Sequence, residues 1–472
     1  MDIIITPKKL NGTIRAVDSK SHAHRLLIAA AMAIAGADIS CAGSFSDLAD
    51  DMISDPSEDL TATAACMKTL LSCSRSSCPE DLPQFRCGES GSTLRFLLPL
   101  SVAAGRGGVF YGGGKLPERP LAPLDEELIR HGAVIERISS DEPSISTLSS
   151  SAKDDTARPA RQKPICRISL PHGSSLRGGE YELPGHISSQ YITGLLMALP
   201  LIPEDSVIRV TTPLQSRAYI DITLSVLKEF GIKVDITDGE CPVYRISGRQ
   251  QYSFPSGPSA NGEDLPAGSP DAVAPDAFAL NAVTPEGDWS NGAFWLAADA
   301  LGSDITVTNL RPDSPQGDKA IAQIVDRFCG LPDTKCCGDQ SDSEIAIDAS
   351  EIPDLVPIIS VLASLCPAHT RIVNAGRLRI KESDRLKTTC AMLQGLGADI
   401  RETEDGLDIT GKETLAGGTI SGAGDHRIVM AAAIAATCCR GPVTIEGAQA
   451  AAKSYPKFFE HYEMLGGSFE IK

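Results

Sequence analysis

The segment Arg377-Leu-Arg-Ile-Lys-Glu-Ser-Asp-Arg385 interleaves charges of both signs: Arg377, Arg379, Lys381, Glu382, Asp384 and Arg385. It follows an apolar run, Thr370 to Val373, and opens a helical pattern carried by Leu386, Met392, Leu393 and Leu396. A strand-to-helix junction of this kind suits an anion, because a helix N-terminus presents unpaired N–H groups and the positive end of its dipole. A second reading is a solvated, self-paired loop, since charge runs mark wet faces. The formal net charge of −18 keeps these cations from being part of a general basic surface.

More such residues stand at other predicted helix starts. Ser19, Ser21, Ser90, Gly91, Ser92, Ser188 and Ser189 supply hydroxyls and N–H groups. Singly each reads as an N-cap. With Lys20, Arg25, Arg119, Lys381, Arg385, Arg427 and Lys453 they read as a site for more than one phosphate or carboxylate. Arginine meets a planar carboxylate with two parallel hydrogen bonds, whereas lysine is a movable point charge and proton carrier.

The elements that must position these residues repeat. Polar or small clusters open apolar helices near Ser19, Gly91, Ser188, Ser290, Pro353 and Asp425. With two atypical segments set aside, the spacing is close to a constant ~70 residues, the mark of one supersecondary unit used six times. Each unit reads as βαβαββ, its second helix ending at a glycine, as in Leu128-Ile-Arg-His-Gly-Ala and Leu393-Gln-Gly-Leu-Gly-Ala. The six read as two domains of three. Helices with small apolar faces, Ala29 to Ala35 and Ala431 to Ala436, are expected to be buried on all sides. The atypical segments, residues 139–163 and 253–282, are rich in Ser, Pro, Gly and Asp and read as surface insertions. A third, shorter loop is expected near Ser46 to Glu58.

Composition narrows the function. The acidic balance disfavours nucleic acid, whose phosphates want a broad basic face. No stretch reaches the roughly 18 apolar residues of a membrane helix, and the opening Met1-Asp-Ile-Ile-Ile-Thr reads as a strand. A cytoplasmic protein is expected. The 14 cysteines contain no Cys-x-x-Cys pair and no zinc spacing, so they read as reduced packing residues, with no metal. His22 and His24, at a helix start, read as surface or capping residues or, as the second alternative, as lining the site; His426 reads as an orienting residue and Trp295 as core.

Eight stretches taken in order resemble the EPSP synthase family of enolpyruvyl transferases: Asp18-Ser-Lys-Ser with Arg25, Gly88-Glu-Ser-Gly-Ser-Thr-Leu-Arg95, Pro117-Glu-Arg-Pro120, Ser188-Ser-Gln190, Tyr219-Ile-Asp-Ile-Thr223, Lys381-Glu-Ser-Asp-Arg385, Asp425-His-Arg427 and Ala452-Lys-Ser-Tyr-Pro456. The resemblance runs from Thr6 to Phe459. It implies an α/β, two-domain enolpyruvyl transferase fold, an inside-out α/β barrel of six βαβαββ repeats, three per domain, with the active site in the interdomain cleft. The expected division is 1–18 with 250–472 as the C-terminal-type domain and 19–249 as the N-terminal-type domain.

The implied reaction is attack of the 5-hydroxyl of shikimate 3-phosphate on C2 of phosphoenolpyruvate, then loss of phosphate. The resemblance makes Lys20, Asp354 and Glu382 the catalytic residues. It matches Lys20, Gly91, Arg119, Arg385, Arg427 and Lys453 to phosphoenolpyruvate, with Arg385 and Arg427 on its carboxylate. It matches Lys20, Ser21, Arg25, Ser188, Ser189, Gln190, Ser216, Tyr219, Asp354 and Lys381 to shikimate 3-phosphate. It implies no cofactor, a monomer, no nucleic-acid or membrane partner, and inhibition by glyphosate beside Gly91.

Four positions depart from the family pattern: Val17-Asp18 for Pro-Gly, Glu89 for Asn, and Arg377 for Asn. Glu89 and Arg377 read as a compensating charge exchange, and Arg95 as a further partner for Glu89. Two alternatives stand beside the resemblance. One is a catalytically silent, anion-binding paralogue. The other is the sister transferase acting on UDP-N-acetylglucosamine, disfavoured because Gly112 to Pro120 contains no cysteine.

Overall fold

A computed structural model describes residues 1–36, 42–52, 57–72, 82–138, 162–255, 283–330 and 344–472. The chain divides into two units: Met1–Lys20, Ser216–Ala218 and Glu286–Lys472 form the first, and Ser21–Gln215 with Tyr219–Pro285 the second.

In the second unit, strands Gln84–Arg86, Gly108–Gly112, Lys163–Ser169 and Val134–Arg137 lie in that spatial order. The first two are parallel and joined through the helix Gly91–Ala103, as a crossover requires. The third is antiparallel to both neighbours. Gly179–Leu183, Ser206–Val210, Val243–Ile246 and Asp235–Thr237 repeat the arrangement around the helix Ser189–Ala198. These two helices touch. A Cβ on Gly194 would lie 2.5 Å from the Arg95 carbonyl oxygen, so glycine is what lets the backbones approach.

The first unit holds the same sheet twice more. One consists of Glu344–Asp348, His369–Val373, Leu407–Thr410 and Asp399–Glu402. The other consists of Gly418–Ser421, Val443–Glu446, Ile3–Thr6 and Ser468–Ile471, in which the N-terminal strand completes the last repeat. Ile4 faces Thr444 on one side and Glu470 on the other. A fifth repeat appears as the parallel pair Asn11–Arg15 and Asp304–Thr308 with the helices Trp289–Ala300 and Ala320–Cys329. At the sixth position the described residues are helical, in Lys20–Gly36, Ala42–Met52 and Glu58–Ser72.

The small-residue helices are interior. His22 through Ile34 are buried, although Ala35 is exposed at the helix end. His426–Ala436 and Val356–Ser364 are buried over their whole length. Small side chains let such helices pack close on every side. Trp295 is core, stacked on Phe458 with ring centroids 5.0 Å apart. Cys66, Cys87, Cys166, Cys366, Cys390 and Cys439 are buried free thiols; Cys336 and Cys337 lie outside the described residues. No helix of the described residues is long and apolar enough to cross a membrane.

Several expectations are corrected. The expected boundary at residue 250 falls too early. Gln250 donates its backbone N–H to Pro200 O, Ser253 donates to Phe230 O, and the Tyr252 hydroxyl donates to Met197 O, all within the second unit. Gln162 and Ser253 to Pro255 are described and Lys163 begins a strand, while the rest of both expected insertions lies outside the described residues. The expected loop at Ser46 is helix Ala42–Met52, because Phe45, Leu48 and Met52 line up on one buried face. His22 and His24 are buried rather than superficial, and His24 Nδ1 pairs with Thr63 Oγ1 at 2.8 Å.

Candidate active site

The charged segment of the first unit folds as its pattern requires. Strand His369–Val373 leads into a 3-10 turn, Gly376–Ile380, and then the helix Arg385–Gly395. Asp384 caps that helix by accepting from the Lys387 N–H at 3.2 Å. The cap leaves Arg385 as the first helical residue, 1% exposed.

Arg385 is ringed by carboxylates. Its Nη1 donates to Asp354 Oδ1 at 2.6 Å, its Nη2 to Glu382 Oε2 at 2.6 Å, and its Nε to Asp425 Oδ2 at 2.8 Å. Asp425 is fully buried; it also accepts from Ser383 Oγ and caps the helix His426–Ala436 through the Arg427 N–H. Burial opposes the Arg385 charge, but Glu382, Asp425 and Asp354 outweigh it. Asp354 in turn lies 3.9 Å from Lys381 Nζ and 3.7 Å from Arg427 Nη2. Three cations therefore converge on one carboxylate, on elements separate in sequence.

The carboxylates differ in state. Burial works against ionisation of Glu382, yet the Arg385 guanidinium overrides it and holds the acid well below the usual carboxylate range. Asp318, which the sequence reading missed, is buried beside Asp354; burial and that neighbouring negative charge push it up to about 7. Asp288, also missed, caps the helix Trp289–Ala300 through Asn291 and accepts from the Lys20 N–H. Its buried carboxyl is raised by burial, against the pull of Arg427 and Lys20. His426 is driven well below the ordinary imidazole range by burial and then by the Arg427 and Arg385 charges, so it is neutral near pH 7. Lys381 is pulled below an ordinary lysine: Asp354 alone would raise it, but burial and Arg385 together prevail. Lys453 ends the turn Ala448–Lys453 with its side chain exposed.

The second unit carries two further groupings. Gly91 opens its helix behind the Ser90 cap. A Cβ on Gly91 would lie 3.0 Å from Arg119 Nη1 and 3.4 Å from Arg95 Nη1. Arg95 donates to Gln190 Oε1 and, at 3.4 Å, to Pro120 O, and Gln190 Nε2 donates to Ser92 Oγ at 2.8 Å. The Tyr191 hydroxyl also donates to Pro120 O at 2.8 Å, which fixes the loop carrying Arg119. Burial is the main reason Arg95 is lowered, and Arg119 adds to it. Ser188 caps the helix Ser189–Ala198 through Gln190. Ser189 and Gln190 are half-buried at its start. The second grouping is around Arg25, which donates to Thr223 Oγ1 at 2.7 Å, Tyr219 O at 2.9 Å, Ser21 O at 2.5 Å and Thr193 Oγ1 at 3.4 Å. Burial brings its guanidinium down to about 10. In this grouping Ser21 and Tyr219 present backbone carbonyls to Arg25.

The departures from pattern resolve within each unit. Asp18 pairs with Arg15 at 3.3 Å. The Glu89 carboxyl lies against Gly114, where an added Cβ would stand 2.6 Å from it, and Arg95 is engaged elsewhere. Arg377 donates to Ser216 Oγ at 2.6 Å. Glu89 belongs to the second unit and Arg377 to the first. Asp318 and Asp288 gave little signal in sequence; the signal available was Asp288 directly before an apolar helix, a capping position.

The family model described as EPSP synthase (3-phosphoshikimate 1-carboxyvinyltransferase) matches residues 4–152, 166–256 and 272–462. A 3-phosphoshikimate 1-carboxyvinyltransferase of Clostridium kluyveri is 36% identical over 99% of this chain and 98% of its own length. One of Clostridium acetobutylicum is 36% identical over 98% of this chain and 97% of its own. An EPSP synthase structure from Acinetobacter baumannii superposes with a TM-score of 0.69 at 21% identity, covering all of this chain and 99% of that one.

Proposed function

The chain belongs to the EPSP synthase family, and we propose that it transfers the enolpyruvyl group of phosphoenolpyruvate to the 5-hydroxyl of shikimate 3-phosphate, releasing phosphate. The observation that carries this reading is the meeting of Asp354 and Glu382 on the single buried guanidinium of Arg385. A module that only bound anions would have no use for two acids beside its cations.

The chemistry needs two proton transfers of opposite sense, so groups that both take and give protons are required. Asp354 is the base toward the 5-hydroxyl, steadied by Lys381 and Arg427. Glu382 and Lys20 serve C3 of phosphoenolpyruvate. A substrate carboxylate arriving at Arg385 competes with Asp354 and Glu382 for the same N–H groups. Once Arg385 is shared, Glu382 loses the charge that keeps it ionised and can hold a proton for C3. His426, neutral, orients its neighbours. Arg427 assists at the carboxylate; Lys20, Arg119 and Lys453 receive the phosphoenolpyruvate phosphate, and Gly91 leaves room beside it. Shikimate 3-phosphate is held by Ser21, Arg25, Ser188, Ser189, Gln190, Tyr219, Lys381 and the Ser216 region. Fixed cations in a water-poor site stabilise charge that develops in the transition state. The protein acts in the cytoplasm as a monomer, without a cofactor. The second unit is the shikimate 3-phosphate domain and the first supplies the acid and base groups.

The test is phosphate release from purified protein given both substrates, with each omitted in turn. Release that requires both is expected; release without shikimate 3-phosphate, or none at all, overturns the reading.

A further inference from the structure

We propose that His24 and Thr63 are positioning residues for the phosphoenolpyruvate half of the site: they feed a buried chain of hydrogen bonds that fixes the Ser90 cap and, through it, Gly91. The inference rests on the reaction proposed above. The members of the chain come from separate stretches of the second unit: His24 on the helix Lys20–Gly36, Thr63 on the helix Glu58–Ser72, and Ser90 and Thr93 at the start of the helix Gly91–Ala103. None is more than 2% exposed, so bulk water cannot stand in for a missing member.

The chain has one sense. The Thr93 hydroxyl donates to Ser90 Oγ at 2.7 Å, which spends its single proton. Thr93 Oγ1 therefore accepts at its 2.6 Å contact with Thr63 Oγ1, and Thr63 is the donor. Thr63 has then spent its own proton, so at 2.8 Å it accepts from His24, whose Nδ1 carries the hydrogen. At the other end, Ser90 Oγ accepts both the Thr93 hydroxyl and the Thr93 N–H, the latter at 3.2 Å. Phe96, one turn beyond Thr93, meets the His24 ring edge-to-face with centroids 6.4 Å apart and holds it in place.

What the chain steadies is the first turn of the helix. Ser90 immediately precedes Gly91, and an added Cβ on Gly91 would lie 3.0 Å from Arg119 Nη1. The backbone here passes close beside a cation that the proposed reaction gives to the phosphoenolpyruvate phosphate. The Thr93 N–H by itself is a long contact to Ser90 Oγ; the hydroxyls and the imidazole behind it keep Thr93 facing the cap. Buried chains of this kind act as a unit, and removing one member leaves the next acceptor unmet.

The experiment compares wild type with Thr63→Val, which keeps the shape without the hydroxyl, and Thr63→Ser, which keeps the hydroxyl. A second pair is His24→Phe, which keeps a ring against Phe96 without Nδ1, and His24→Asn, which restores an N–H donor. Steady-state phosphate release, calorimetric affinity for shikimate 3-phosphate and urea unfolding are measured on the same preparations. Thr63→Val and His24→Phe are expected to raise the KM for phosphoenolpyruvate about tenfold, the size of one buried hydrogen bond left unmet, while kcat and shikimate 3-phosphate affinity stay within about threefold. Thr63→Ser and His24→Asn should recover most of the loss. In an active wild type, an unchanged KM for phosphoenolpyruvate in folded Thr63→Val and His24→Phe overturns the inference alone. So do an equal loss of shikimate 3-phosphate affinity and a failure of both conservative variants to recover, since each marks a merely structural role. If neither Thr63→Val nor His24→Phe folds, the chain serves the fold and the inference falls. A wild type that releases no phosphate from the two substrates overturns the inference and the proposed reaction together.

Discussion

Arg385 and Asp354 meet at 2.6 Å between Nη1 and Oδ1, with the arginine 1% exposed. The arginine that the family pattern sets against a substrate carboxylate is therefore already satisfied by carboxylates of its own unit. In the reaction proposed above, substrate binding at Arg385 is an exchange of partners, and the displaced partners are the two acids proposed to move protons.

That exchange makes Glu382 and Asp354 separable from binding. Glu382→Gln keeps the shape and a hydrogen-bond acceptor for Arg385 but removes the proton carrier. We expect kcat to fall about 100-fold or more, the range of general acid–base catalysis, with shikimate 3-phosphate affinity changed less than threefold. Asp354→Ala, at a residue that also meets shikimate 3-phosphate, should lose far more turnover than affinity. Turnover and calorimetric affinity measured on the same preparations decide it: parallel losses in both would remove these residues from the chemistry.

Asp425 carries a different load. It is fully buried, bonds Arg385 and Ser383, and caps a helix that is itself buried throughout. Asp425→Ala leaves Arg385 with one fewer buried counter-charge. Breaking such a pair from one side costs about 3–5 kcal/mol. Urea unfolding should show a loss of that order for Asp425→Ala and a smaller one for Asp425→Asn, which retains the cap. Wild-type stability in the alanine variant would mean that Asp354 and Glu382 suffice.

Gly91 tests the phosphoenolpyruvate half. An added Cβ would stand 3.0 Å from Arg119 Nη1, tighter than ordinary contact, so the guanidinium must retreat. Gly91→Ala is expected to raise the KM for phosphoenolpyruvate about tenfold, the effect of losing roughly 1.4 kcal/mol from a charged contact. Shikimate 3-phosphate affinity and the melting temperature should hold. The wild type, with glycine here, is expected to be inhibited by glyphosate, and the alanine variant less so; undiminished wild-type activity at millimolar glyphosate would contradict both.

How much of this was legible in the chain follows from range of interaction. Helix starts were readable because capping is local: Asp384, Asp425, Ser90 and Ser188 each accept from an N–H two or three residues ahead. The repeat was readable because each unit reuses one pattern, and four complete sheets share one strand order. The helix Ala42–Met52 was hidden by its acidic and small residues, since only three large apolar side chains mark its buried face. Ser216, at a left-handed φ, and Glu351, whose carboxyl accepts the Ser216 backbone N–H, lie far apart in sequence, and no spacing rule reaches their pairing. Arg25 reads as a ligand from its motif, yet Thr193, Tyr219 and Thr223 claim most of its donors.

Asp318 supplies a pH test that owes nothing to substrate. Its carboxyl is pushed up to about 7 by burial and then by Asp354, with Arg427 opposing, from an ordinary value near 3.8. The folded state therefore binds a proton that the unfolded state has released between those values. Stability from this group is fully present below the unfolded value and is lost as pH rises through about 7. Asp318→Asn removes the titration while keeping the side-chain shape. Urea midpoints taken at intervals from acid to mildly alkaline pH should fall more steeply in the wild type than in the variant. The gap should narrow or reverse in the variant's favour on the alkaline side, where the wild type must bury a charge. Parallel pH profiles for the two proteins would show that Asp318 is ionised alike in both states, and that Arg427 compensates its burial fully.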